Sequence, residues 1–316
     1  MNYKKYILIL LFILLLFSLV SCVVPDEDVL DLDYRTGNLG LLVNFMSGAV
    51  PDSIYENQDL EIVAEIRNVG AFNEPSGKIY LHGFDATVIS FDRRIQSKDG
   101  VELNYLYQEI PKIMGKSAYQ DGGYDRVSFV ASSSDINLKS SKTYNPRFIL
   151  STCFNYKTVL SPTVCILPDS SVLKTSSVCK PSTISLSSQG APVAVTKVET
   201  QVVGNNNKFY ITIENVGNGR VILNNEESFS NCPLKLEDTD LDIVEFEVKI
   251  DNLEKPVCYP EGKVKLFNDK ARIECVFSTL KDNEKIVSSP YTTPLQISLD
   301  YNYLISTKKE IKIIPT

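Results

Sequence analysis

A single histidine, His82 in "GKIYLHGFD", is the one imidazole that this 316-residue sequence offers for base catalysis. A Ser-His-Asp or Cys-His nucleophile system would have to be built on it. Neither a Gly-x-Ser-x-Gly elbow nor a reactive-cysteine context accompanies it, so His82 reads as a partly exposed residue at a strand end. Ser171-Val-Leu-Lys174 has the Ser-x-x-Lys spacing of acylating hydrolases. Lys-Thr-Gly and Ser-Asp-Asn are absent, however, and the surrounding Ser/Pro-rich stretch offers no helix to support it. Asp238, Asp240 and Asp242 recur at two-residue spacing in "LEDTDLD". An EF-hand loop needs Gly and Glu where Ile243 and Lys249 stand, so that motif fails. A strand would still put the three carboxylates on one face, where a calcium ion would relieve their repulsion. The competing reading is a solvated acidic turn. No cofactor is expected.

Binding chemistry falls to tyrosine. The chain has no tryptophan and 16 tyrosines. Tyrosine joins apolar area to a polar tip and is enriched at interfaces. "LNYLYQEI" (Tyr105, Tyr107) and "AYQDGGYD" (Tyr119, Tyr124) are the two stretches expected to form a binding face. In strands these are also ordinary residues.

The first residues set the compartment. "MNYKKYILILLFILLLFSLVSC" has a basic start, an apolar run from Tyr6 to Val20, and Leu19-Val20-Ser21-Cys22. A charged region, an apolar region and a small residue at the break describe an export signal. Leu-Val-Ser-Cys resembles the lipobox of prokaryotic lipoproteins, which implies cleavage before Cys22 and a diacylglycerol on its sulfur. The alternative is an uncleaved anchor helix. Either way the membrane is a partner and residues 23 onward lie outside the cytoplasm. Removal of residues 1–21 takes two of the 32 basic residues and none of the 39 acids, moving the net charge from −7 to −9. An acidic chain without a Lys/Arg cluster is not a nucleic-acid binder.

Apart from Cys22, the cysteines are Cys153, Cys165, Cys179, Cys232, Cys258 and Cys275. An even number outside the cytoplasm reads as disulfides. Zinc would favour close ligand pairs, and there is no Cys-x-x-Cys.

The elements that must carry these groups are strands, written twice. At an offset of 147, Asn68-Val69-Gly70 falls on Asn215-Val216-Gly217, Gly115-Lys116 on Gly262-Lys263, and Asn155-Tyr156 on Asn302-Tyr303. Two copies of one domain follow. "DLEIVAEIRNVG" and "KFYITIENVG" alternate apolar and polar residues, as do "EFEVKI", "RIECVF" and "LQISLDYNY". Period two means strands with one wet face, and Asn-x-Gly permits a tight turn after each. The expected fold class is all-β, with two tandem immunoglobulin-like β-sandwiches. The strand-Asn-x-Gly pattern resembles CARDB-like domains of bacterial and archaeal surface proteins. That resemblance implies immunoglobulin-like modules and adhesion.

The expected organisation is a signal or anchor over 1–21, an acidic spacer over 22–35, sandwiches over 36–168 and 190–316, and a Ser/Pro-rich linker over 169–189. The repeat matches Cys153 to Asp300 and Cys165 to Lys312, two outward positions of a closing hairpin. A Cys153–Cys165 bridge is therefore expected where the second copy has an ion pair. Cys179 is then left for Cys232, Cys258 or Cys275. The expected function is non-catalytic: binding, adhesion or envelope assembly, with a protein or surface polymer as partner. The rival is an accessory or hydrolytic surface enzyme using a carboxylate or metal site.

Overall fold

Leu60, Ile62, Ala64 and Ile66 are fully buried while Glu61 and Arg67 face water, so the two-residue period does set the buried face. The same holds for Phe209, Ile211 and Ile213, and for Leu295, Ile297, Leu299, Tyr301 and Tyr303. The computed structural model describes residues 34–91, 105–132, 134, 136–138, 142–282 and 284–316. The expected signal, Cys22 and almost all of the acidic spacer lie outside these residues.

The N-terminal half contributes β1 (Leu41–Phe45), β2 (Ser53–Tyr55), β3 (Leu60–Asn68), β4 (Gly77–His82), β5 (Tyr105–Glu109), β6 (Tyr124–Ala131), β7 (Arg147–Leu160) and β8 (Thr163–Ile166). The C-terminal half adds β9 (Thr183–Ser185), β10 (Val193–Val203), β11 (Asn206–Asn215), β12 (Arg220–Ile222), β13 (Ile243–Lys249), β14 (Val257–Tyr259), β15 (Lys263–Lys265) and β16 (Lys270–Ser278). It closes with β17 (Leu280–Lys281), β18 (Glu284–Lys285), β19 (Tyr291–Pro294), β20 (Gln296–Glu310) and β21 (Lys312–Ile314). Among the described residues α1 (Glu226–Asn231) is the one α-helix. The fold is all-β.

Each half builds one sheet of its own, in the order β1-β3-β6 and β14-β16-β11-β10-β9. The halves then share the largest sheet, β15-β13-β20-β7-β4-β5. All 14 residues of β7 pair antiparallel with β20, and Asn155 stands opposite Asn302. The repeat equates those two asparagines. An antiparallel ladder that sets equivalent residues face to face has a local two-fold axis between them. The duplication is therefore closed on itself, edge to edge. Phe154, Tyr156, Tyr301 and Tyr303 surround the axis on the inner face with ring centroids 5.9–6.3 Å apart. Residues Tyr34–Thr316 form one compact unit, and one cluster of buried side chains runs through both halves.

The repeated Asn-Val-Gly has the same role in both copies. Asn68 Nδ2 donates to the Phe72 and Ile113 carbonyls, and Asn215 Nδ2 donates to the Gly219 carbonyl and to Asp269. A tyrosine hydroxyl closes each turn. Tyr156 accepts from Phe72 N–H and donates to the Gly190 carbonyl; Tyr303 accepts from Gly219 N–H and donates to Asn215 Oδ1. A Cβ on Gly70 or Gly217 would lie 1.9 or 2.4 Å from these hydroxyl oxygens, so only glycine fits.

The cysteine pairing differs from expectation. The bridges are Cys153–Cys232, Cys165–Cys179 and Cys258–Cys275. Cys153 and Cys165 do not pair because β8 does not fold back on β7. The edge of β7 is taken by β20, and β8 pairs with β19 instead. Asp300 makes its ion pair with Lys157 of β7 at 3.2 Å, not with Lys312, because β21 departs to run parallel to β2. The stretch 169–189 is also more than a tether. Cys179 is bridged to Cys165, β9 pairs with β10, and Ser188 Oγ accepts from Gly37 N–H at 2.9 Å. Three disulfides fit an oxidising, extracytoplasmic environment.

Candidate functional site

The shared sheet has an outer face, and the sequence decides which part of it is covered. Between β12 and β13 the second copy carries an insertion, residues 223–242, that the first copy lacks. Its helix α1 is capped by Asn225, whose side chain accepts from Ser228 N–H at 2.7 Å. Glu226 and Glu227 occupy the first turn. Ser228 Oγ donates to Asp240 at 2.6 Å and fixes the turn that leads back to β13. The insertion lays Cys232 and Leu241 over Tyr80, Cys153 and Ile222, and the five form a buried satellite cluster. The Cys153–Cys232 bridge therefore staples the insertion of one copy onto the long strand of the other.

Beyond that cover Tyr107 and Ser306 reach the surface, and His82 is half-buried. His82 ends β4 with its Nε2 2.9 Å from Ser151 Oγ on β7, and Ser151 Oγ lies 2.8 Å from Ser306 Oγ on β20. Three strands thus contribute one row of hydrogen-bonding groups. Burial holds the His82 imidazole below its ordinary value, which favours the neutral ring. Beside the row, Tyr107 on β5 is 40% exposed and packs 5.9 Å from Tyr80. Lys78 Nζ sits 4.6 Å from the Tyr107 ring centroid and 3.8 Å from Glu109. Tyr105 opens β5 opposite His82 in the register.

The sequence-derived tyrosines do not form one face. Tyr107 belongs to the outer row of the shared sheet, whereas Tyr124 begins β6 in the other sheet. Tyr119 sits at the tip of the turn closed between Ser117 and Gln120 and is 98% exposed. Tyr124 is 67% exposed, opposite Arg67. Tyr80, Ser151 and Ser306 escaped the reading because period two says which way a side chain points, not which strand lies beside it. The registers of β4 on β7 and of β7 on β20 were the missing information. The second has a trace in the sequence, the match of Asn155 to Asn302.

The three aspartates do not converge on a cation site. Asp240 binds Ser228 and Glu237 N–H, and these bonds, the Ser228 hydroxyl foremost, hold its carboxyl below the ordinary range. Asp242 pairs with Arg220 at 3.1 Å. Asp238 is exposed, and its backbone carbonyl accepts from Lys265. Among the described residues no group of three or more His, Cys, Asp or Glu side chains is placed to hold a metal ion. The Ser-x-x-Lys serine is also occupied. Ser171 donates to Asp169, which pairs with Lys285 at 3.0 Å; the Ser171 hydrogen bond, then Lys285, draws the carboxyl down to about 2. Among the described residues no helix is long and apolar enough to cross a membrane. Compared with known proteins, the chain matches no family model and no curated sequence.

Proposed function

We propose that this chain is a non-catalytic binding protein of an extracytoplasmic surface, carrying two immunoglobulin-like domains and tethered to a membrane through lipid on Cys22. The observation that carries the binding role is the open stretch of the shared sheet. There Tyr107, Lys78, His82 and Ser306 bring aromatic, cationic and hydroxyl groups together on one face of the sheet. An exposed tyrosine among polar groups is the composition of surfaces that meet a protein or a polymer.

The strand order supports the immunoglobulin-like reading. In the first copy the first, second and fifth long strands form one sheet and the third, fourth and sixth another. The position beside the sixth strand, where a last hairpin strand would lie, is occupied by the sixth strand of the other copy. Adhesion or envelope assembly, with the CARDB-like domains as relatives, is the wider role that this reading carries.

The test is binding of the purified protein to cell-envelope protein and polymer fractions by interferometry. Tyr107→Ser with Lys78→Ser should weaken capture at least tenfold while leaving the melting temperature within a few degrees. Unchanged capture would refute the face. A hydrolytic reading has one specific observation in its favour, the 2.9 Å contact of His82 with Ser151. Ser151 is only 4% exposed, which leaves no path for a substrate carbonyl. Turnover of an ester panel that vanishes in Ser151→Ala and His82→Gln would establish that reading instead.

A further inference from the structure

The two copies differ at one strand edge. In the first copy β5 pairs along the whole of β4, with Leu106 opposite Leu81 and Tyr107 opposite Tyr80. In the second copy β15 pairs with β13 only from Ile243 to Glu245, and one further bond joins Phe246 N–H to the Gly262 carbonyl. From Glu247 to Lys249 the other edge of β13 is paired to β20, and its outer edge is bare of a strand. Backbone groups alternate in direction along a strand. Since Phe246 N–H points to the β15 side, so do the N–H and C=O of Val248. Val248 stands where Leu81 stands in the first copy, but no Leu106 faces it.

A groove of about 380 Å³ occupies this place, with Phe246, Val248 and Pro256 as its apolar lining and Val257 and Tyr259 on its far wall. The far wall is β14, and Pro256 and Pro260 flank it, so β14 is a poor template for a longer ladder. Lys249 and Glu247 of β13 pair with each other at 2.8 Å. That leaves Lys255 as the charge toward the Ile250 end and Glu261 as the charge at the Gly262 end. Among the described residues Lys255 and Glu261 have no ion-pair partner.

We infer that this groove docks an extended segment of a partner protein, which adds antiparallel to β13 and carries an acidic, then an apolar, then a basic residue from its N-terminal to its C-terminal end. The apolar residue takes the place beside Val248 that Leu106 holds beside Leu81 in the first copy. The acid meets Lys255 and the base meets Glu261. Main-chain bonds to Val248 supply affinity, and the charge order supplies direction. This surface shares no residue with the face around Tyr107, so the two assignments stand or fall separately.

The test selects displayed random linear decapeptides on the full-length chain in detergent. Enriched peptides should share the acid–apolar–base order, slow amide hydrogen exchange across 246–250, and bind the Lys255→Glu/Glu261→Lys variant at least tenfold more weakly. Peptides with the two charges exchanged should recover binding to that variant. Both substituted residues are exposed, so circular dichroism should confirm an unchanged fold. Failure to enrich any peptide, equal binding to the variant, or protection elsewhere would overturn the inference. Self-association of the chain that the charge exchange abolishes would also overturn it, by assigning the groove to a second copy.

Discussion

Thr152 sits on the inner face of β7, fully buried, and its hydroxyl oxygen has no hydrogen-bond partner. An unmade buried hydrogen bond costs about 1–3 kcal/mol. Thr152→Val keeps the shape and removes the hydroxyl, so it should stabilise the protein by about 1 kcal/mol in urea denaturation. Destabilisation would mean that the hydroxyl does find a partner. Gly217 is the opposite case. A Cβ there lies 2.4 Å from Tyr303 Oη and 2.7 Å from Pro192 Cβ. Gly217→Ala should cost about 1–3 kcal/mol through forced displacement, and Tyr303→Phe should recover only part of it, because Pro192 still collides. His82 supplies a pH signature. Its folded pKa is depressed by burial, so on acidification the unfolded chain takes its proton first, near pH ~6.5. The stabilisation from the neutral ring is present above that pH and is lost as pH falls below it. The melting-temperature gap between the parent and His82→Gln should therefore shrink from pH 8 to 5.5, and a constant gap would contradict the assignment.

At the scale of elements, the three bridges tie different things. Cys153–Cys232 closes 79 residues and joins the two copies, whereas Cys258–Cys275 closes 17 within one sheet. Loop-closure entropy predicts losses of about 4–5 kcal/mol and about 3 kcal/mol on replacing each pair by serine. Chemical denaturation of the two double variants checks the ordering, and equal losses would show that native packing outweighs loop length. The strands themselves were legible. Ile62, Ala64, Ile66, Phe209, Ile211 and Ile213 all point inward as their alternation requires. The bridges were not legible, because equating Cys165 with Lys312 assumed that both copies end in the same hairpin. In fact β8 and β21 leave their long strands in different directions. The insertion that brings Cys232 over Cys153 has no counterpart in the first copy, so the repeat carried no information about it.

For the whole molecule, the boundary expected near residues 168–190 does not separate two independent cores. The β7–β20 ladder, the aromatic ring around its axis and the parallel β2–β21 pair all cross it. Calorimetry should accordingly show one transition for residues 34–316, with calorimetric and van't Hoff enthalpies in agreement. Residues 190–316 expressed alone should aggregate, since β20 would expose a 15-residue edge. Two resolved transitions, or a monomeric soluble fragment, would contradict this. The candidate binding face was half legible for the same reason: Tyr107 could be picked from its own sequence, while Ser306 became its neighbour only through the fusion.

That fusion also has a clock in it. A chain made from its N-terminus completes β7 at Leu160, but the strand that covers it begins at Gln296. At ordinary synthesis rates the wait is on the order of ten seconds. Throughout it the edge of β7 away from β4 is an unpaired template for any other nascent chain, and Cys153 has Cys165 and Cys179 within reach before Cys232 exists. The newborn protein is therefore most vulnerable in its middle age, and the cell that makes it must shelter one strand until its twin is made.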